Sequence, residues 1–131
     1  MEEQFQLEII SPEKIIFSGS AKMTKVPSYE GDMSILKNHI SIITFLRPGI
    51  IKVQKNDGNF KEFFVQDGTV EYFNDSLVVL SASVISVKDL SQEFVDNLNK
   101  DTKDKLAEKN ITDHDRYVLN HKLDALKEIR V

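Results

Sequence analysis

The chain reads as an α+β protein in two parts, an N-terminal antiparallel β-sandwich of about ten short strands followed by a C-terminal antiparallel two-helix hairpin. Three observations predict this. All five glycines and all three prolines of the 131 residues lie before Ser86. Up to that point apolar residues recur with a period of two between turn dipeptides, as many short strands require. From Lys88 onward the spacing becomes helical, and 19 of the last 45 residues are charged against 19 of the first 86. The chain is therefore divided into residues 1–86 and 87–131, of which the first is long enough to close a core alone and the second is not.

Taken in order, Phe5, Leu7 and Ile9 alternate with Gln4, Gln6 and Glu8, and Pro12 ends that strand. Ile15 and Phe17 form the next, turning at Ser18-Gly19. Further strands are expected at Ala21 to Val26, Met33 to Leu36, Ile40 to Leu46, Ile50 to Lys55, Phe60 to Gln66, Thr69 to Phe73 and Leu77 to Ala82. Arg47-Pro48-Gly49, Asn56-Asp57-Gly58-Asn59, Asp67-Gly68 and Asn74-Asp75 separate them, residues that preset turn geometry or tolerate positive φ. Ile40 to Leu46 and Leu77 to Leu80 are nearly continuous in apolar residues, which predicts burial from both sides.

Asp89 with Gln92 suggests a capping box opening a helix of roughly 90–108, with Leu90, Phe94, Leu98 and Leu106 on one stripe and Asn110 as its C-terminal cap. Thr112 or Asp113 caps a second helix that carries Leu119, Leu123 and Leu126 on one face. Two narrow stripes bury little by themselves, so the hairpin must lean on the sandwich or on a partner.

Composition excludes several chemistries. With no cysteine there is no disulfide, thiolate zinc site, iron–sulfur cluster or cysteine nucleophile, and a net charge of −4 disfavours nucleic-acid binding. No phosphate-binding loop, dinucleotide turn, nucleophile elbow or zinc-protease helix motif occurs. Asp113-His114-Asp115 has metal-ligating residue types, but neighbours on a helix point apart, and acids at a helix start complement its dipole. His114 and His121 share a face and read as a solvated pair. Asp32 and His39 are the nearest thing to an acid–base pair, and sequence proximity does not establish a cleft. No secretory leader and no apolar stretch of about 20 residues is present, so neither export nor a membrane span is expected.

The order of landmarks then resembles one family. Leu7-Glu8-Ile9-Ile10-Ser11-Pro12-Glu13, Ile16-Phe17-Ser18-Gly19, Glu30-Gly31-Asp32-Met33-Ser34-Ile35, His39, Arg47-Pro48-Gly49-Ile50-Ile51-Lys52-Val53, Asp67-Gly68-Thr69-Val70-Glu71-Tyr72 and Leu77-Val78-Val79-Leu80-Ser81 follow the epsilon subunit of F-type ATP synthases, called delta in mitochondria. Departures fall at Ser34, Lys37-Asn38, Ile40-Ser41 and Asp67. The resemblance implies a non-catalytic central-stalk rotor subunit that couples the gamma subunit to the membrane c-ring, peripheral on the cytoplasmic face of a bacterial inner membrane. It implies that Glu30, Asp32 and His39 lie on loops facing the c-ring. It further implies that Arg116, Lys122, Lys127 and Arg130 form the face of the hairpin that approaches the beta subunits, or beta together with alpha, and inhibits ATP hydrolysis. Some members bind ATP through an Ile/Leu-Asp-x-x-Arg-Ala motif; here Ser91 and Phe94 replace its acid and arginine, so no cofactor and no strong ATP binding are expected. The alternative expectation is a free-standing β-sandwich that binds a ligand beneath a helical lid, and a third is an enzyme using Asp32 and His39.

Overall fold

The computed structural model describes residues 3–129. It contains strands β1 (Phe5–Ile10), β2 (Ile15–Ala21), β3 (Met23–Ser28), β4 (Gly31–Leu36), β5 (Ile42–Leu46), β6 (Gly49–Gln54), β7 (Phe60–Val65), β8 (Gly68–Phe73), β9 (Ser76–Leu80) and β10 (Ile85–Ser86). A 3-10 turn over Val87–Asp89 leads to helices α1 (Gln92–Leu106) and α2 (Asp113–Glu128).

The strands run in the order β10-β7-β6-β3-β5-β8-β9-β1-β2, with β4 on the remaining edge of β3. Pairing is antiparallel except between β1 and β9, which run parallel from Gln6↔Ser76 to Ile10↔Leu80. β3 is the fold's corner: Met23 to Lys25 pair with β6, whereas Ser28 pairs with Leu46 of β5. The sheet curls until its ends approach, where Phe17 of β2 meets Phe63 of β7 edge to face at 6.1 Å. Two glycines permit this closure. A β-carbon on Gly49 would stand 2.5 Å from Cβ of Pro27, and Gly68 at φ +144° brings its backbone within 2.5 Å, at the Cβ position, of the Leu80 carbonyl oxygen.

The period of two places Phe5, Leu7, Ile9, Val26, Ile35, Leu46, Ile51, Val53, Val70, Tyr72, Leu77 and Val79 in one interior core. Within β7 the alternation splits three consecutive apolar residues between two cores. Phe63 and Val65 enter the sandwich, while Phe64 points out and is wholly buried beneath the hairpin. There it joins Leu90, Val95, Ala125, Leu126 and Ile129, with Ile50, Ile85, Val87, Phe94 and Leu98 around them. The stripes on α1 and α2 thus cover the outer face of β6, β7 and β10.

Three sequence expectations are corrected. Ile40 to Leu46 and Leu77 to Leu80 are not buried on both sides: Ile40, Ile43, Phe45 and Leu80 are exposed, since the hairpin covers another face. The N-cap of α1 is Ser91, whose Oγ accepts the Phe94 amide at 3.0 Å, and Asp89 belongs to the preceding 3-10 turn. Ala107, not Asn110, caps the C-terminus of α1. The expected cap of α2 is Thr112, accepting the Asp115 amide at 3.0 Å.

Candidate functional site

Cross-strand register assembles the first surface. Residues paired across a sheet point to the same side, so Phe45, Thr69, Leu80 and Ile10 form one row and Ile43, Glu71, Val78 and Glu8 the next. Phe45 is 62% exposed, Ile43 70% and, in the preceding loop, Ile40 78%. Phe73 extends the same apolar face. At one end of it opens a groove of about 990 Å³ walled by Ile10, Pro12, Tyr29, Phe45, Leu80 and His114. An exposed apolar patch of this kind on an otherwise charged chain marks a binding surface.

The second surface is the seam between α2 and the sandwich. Tyr29, in the β3–β4 turn, stacks at 17° on both His114 (6.0 Å) and Tyr117 (5.7 Å). Tyr117 donates its hydroxyl hydrogen to the Tyr29 carbonyl at 3.1 Å and lies edge-on to His121 at 4.4 Å. Below it lies a charged cleft of about 260 Å³. Asp32 accepts from Arg47 at 2.9 Å there and pairs with Lys25 at 3.5 Å. Burial, then the nearby Arg47 charge, holds His121 below its ordinary 6.5, against the pull of Asp124 and Asp32.

The residues singled out in the sequence do not form one site. Glu30 precedes β4 and Asp32 is its second residue, whereas His39 follows its end, so four strand residues, about 13 Å, lie between Asp32 and His39. His39 donates from Nδ1 to the Ile40 carbonyl at 2.6 Å and lies edge-on to Tyr72. Its loop is held by Asp75, which accepts from the Asn38 amide at 2.9 Å and the Tyr72 hydroxyl at 2.7 Å. Asp32 and His39 therefore cannot act on one substrate, which removes the acid–base reading. Of the expected solvated pair, His114 is exposed, stacked on Tyr29, whereas His121 is half-buried against Tyr117.

At about 100° per residue, Arg116 and Lys127 fall within about 20° of each other on α2, whereas Lys122 is about 120° away. Arg116 and Lys127 are exposed. Lys122 is half-buried, and burial and then Lys105 hold its ammonium below the usual lysine range. Arg130 lies outside the described residues. At the start of α1, Ser91 is occupied as the cap and Phe94 packs into the second core. Among the described residues no cluster of three His, Asp or Glu side chains is arranged to hold a metal, and no helix is long and apolar enough to cross a membrane.

Sequence reasoning missed Tyr29, Tyr117 and the exposed Ile43 and Phe45. The aromatic residues at Tyr117 and His114, three apart on a helix, were a signal for a shared face, but their partner in a distant turn was not. For β5 the signal was the apolar run itself, which left open what covers its second side.

The family model for the ATP synthase delta/epsilon chain β-sandwich domain matches residues 4–87. The ATP synthase epsilon chain of Pelagibacter ubique is 39% identical over 130 residues, covering 98% of this chain and 99% of that one. The ATP synthase epsilon chain of Parvibaculum lavamentivorans is 34% identical, covering 99% and 98%. A chain in the cryo-EM structure of the Euglena gracilis mitochondrial ATP synthase superposes with a TM-score of 0.76 at 15% identity, covering 95% of this chain and 78% of that one. One in the central stalk and c-ring structure of the Tetrahymena thermophila enzyme gives 0.62 at 12%, covering 98% of each. Those two likenesses show the fold. With its sandwich matched by the family model and its whole length by relatives, the chain belongs to the ATP synthase delta/epsilon chain family.

Proposed function

We propose that the protein is a non-catalytic central-stalk subunit of an F-type ATP synthase, peripheral on the cytoplasmic face of a bacterial inner membrane, and that it grips the gamma subunit with the exposed face of β5, β8, β9 and β1. The observation that carries this is the row of Ile43, Phe45, Phe73 and Leu80, apolar and uncovered in a chain of this family. Glu30 and His39 belong to opposite ends of the sandwich, so a flat partner meets only one of them. The Glu30 end is assigned to the c-ring. His39, beside Ile40, is assigned to the edge of the gamma surface. Asp32 is paired with Arg47 and Lys25, so it shapes the Glu30 end more than it contacts a partner.

The hairpin is the inhibitory element of this reading. Arg116 and Lys127 share an exposed face suited to an acidic surface on the beta subunits, and Lys122 joins them only if the hairpin leaves the sandwich. With Ser91 and Phe94 engaged as cap and core, α1 has neither the acid nor the arginine of the ATP-binding motif, and no strong nucleotide binding is expected. A ligand-binding sandwich with a helical lid is disfavoured because its interior is filled by side chains with essentially no exposure.

Co-purification tests the first part: the chain should carry gamma with it, and Phe45→Glu should abolish this while leaving the fold intact. Retention of gamma by that variant would overturn the assignment. For the hairpin, Arg116→Glu with Lys127→Glu in the reconstituted complex should raise ATP hydrolysis, and an unchanged rate would show that this face does not inhibit. Charge reversal is preferable to truncation after Ser86, which would uncover Phe64, Ile50 and Ile85.

A further inference from the structure

We propose that Tyr29, His114, Tyr117 and His121 form an aromatic latch that holds the hairpin on the sandwich near neutral pH and loosens on acidification through His121. The three α2 members recur at intervals of three and four residues, so they occupy one face of the helix, and that face is turned to the β3–β4 turn. Tyr29 is, among the described residues, the sandwich's contribution to the stack, with His114 and Tyr117 both against its ring at 17°. The hydrogen bond from the Tyr117 hydroxyl to the Tyr29 carbonyl spans 88 residues of sequence and fixes the helix against the turn. The latch is separate from the second core, which lies toward the C-terminal end of α2 at Ala125, Leu126 and Ile129. It thus secures the N-terminal half of a helix whose apolar anchor is at the other end.

His121 is the member that responds to protons because of what faces it. From the sandwich come Arg47, Asp32, Lys25 and Lys52, and from its own helix Tyr117, Asp124 and Glu128. Arg47 is already committed to Asp32 at 2.9 Å, so the carboxylate that would best neutralise an imidazolium is shared with Lys25 and Arg47. A proton on His121 therefore adds a cation beside Arg47 in a partly buried cleft. Burial and Arg47 depress its pKa more than Asp124 and Asp32 raise it. In the released helix His121 titrates at its ordinary 6.5, so docking is strongest above that value. As pH falls from there through the depressed docked value, the released form takes up the proton and docking weakens. His114 stands outside this cleft, stacked on Tyr29 at the open groove.

The latch acts in the isolated chain, whatever the released hairpin then does. Amide hydrogen exchange of the full chain, corrected for intrinsic rates between pH 8 and 5.5, reads it directly as the protection of α2 relative to β1 and β9. Protection of α2 should fall several-fold across that range in the wild type and in His114→Gln, and stay constant in His121→Gln. At pH 8, Tyr29→Ala should cost α2 about 5- to 10-fold in protection, the size of two aromatic contacts, while Tyr29→Phe retains it and β1 and β9 do not change. Wild-type protection that is flat with pH, a slope that survives in His121→Gln, or an unaltered α2 in Tyr29→Ala would overturn the proposal.

Discussion

Phe45→Ser is the most informative single change to the sandwich. The side chain lies on β5 opposite Thr69, 62% exposed, and its ring makes one wall of the open groove. A phenylalanine side chain offers about 200 Å², so about 125 Å² is available to a partner, worth about 3 kcal/mol at roughly 25 cal/mol per Å². Titration calorimetry against purified gamma should then show Kd weakened by about 100-fold. Because the ring contributes little to the interior, urea denaturation of the isolated variant should move by no more than about 0.5 kcal/mol. The two measurements together separate a partner contact from a folding defect. Unchanged affinity for gamma would refute the assignment of this face, and a large loss of stability would refute the statement that Phe45 stands outside the core.

Gly68→Ala combines a disfavoured φ of +144° with a β-carbon 2.5 Å from the Leu80 carbonyl oxygen. It should lower the urea-derived stability by at least about 1–3 kcal/mol. Thr112→Ala removes the acceptor for the Asp115 amide and should weaken α2 by about 1 kcal/mol, seen as faster exchange of its first-turn amides with the sandwich unaffected. Burial, then the hydrogen bond to Asp75, pushes the Tyr72 hydroxyl up to about 12. Its neutral form is favoured in the folded state, so stability should decline from about pH 10 toward 12, and Tyr72→Phe should flatten that decline. Conversely, hydrogen bonds from Tyr72 and the Asn38 amide lower the Asp75 pKa, so its contribution is present above 3.8 and lost as pH falls below. Thermal melts of Asp75→Asn should show a shallower acid dependence than wild type.

Local chemistry made most elements legible. Alternation in β1, β6, β8 and β9 announced which side of each strand faces the core, because a residue's side in a strand follows from its parity alone. Asn74-Asp75 announced its turn because both residues tolerate the positive φ they adopt, 51° and 58°. Parity fails where both sides of a strand are apolar. Ile42 to Leu46 and Phe60 to Val65 look alike in sequence, yet Phe64 is covered by the hairpin and Ile43 and Phe45 are open, since coverage depends on where a distant helix lands. The same limit applied to the site. Asp32 and His39 seemed adjacent because seven positions is a short interval in sequence, but the extended β4 carries them toward its two ends.

By itself, then, the sequence determined the strand and helix periods, the absence of thiol chemistry and the family. These depend on spacing and residue type within short windows. Only the tertiary structure decided that β1 lies parallel to β9, that Tyr29 receives His114 and Tyr117, and that Lys122 faces inward while Arg116 and Lys127 face out. Each of these joins residues far apart in the chain, and the packing of whole faces selects such pairings where no local preference can.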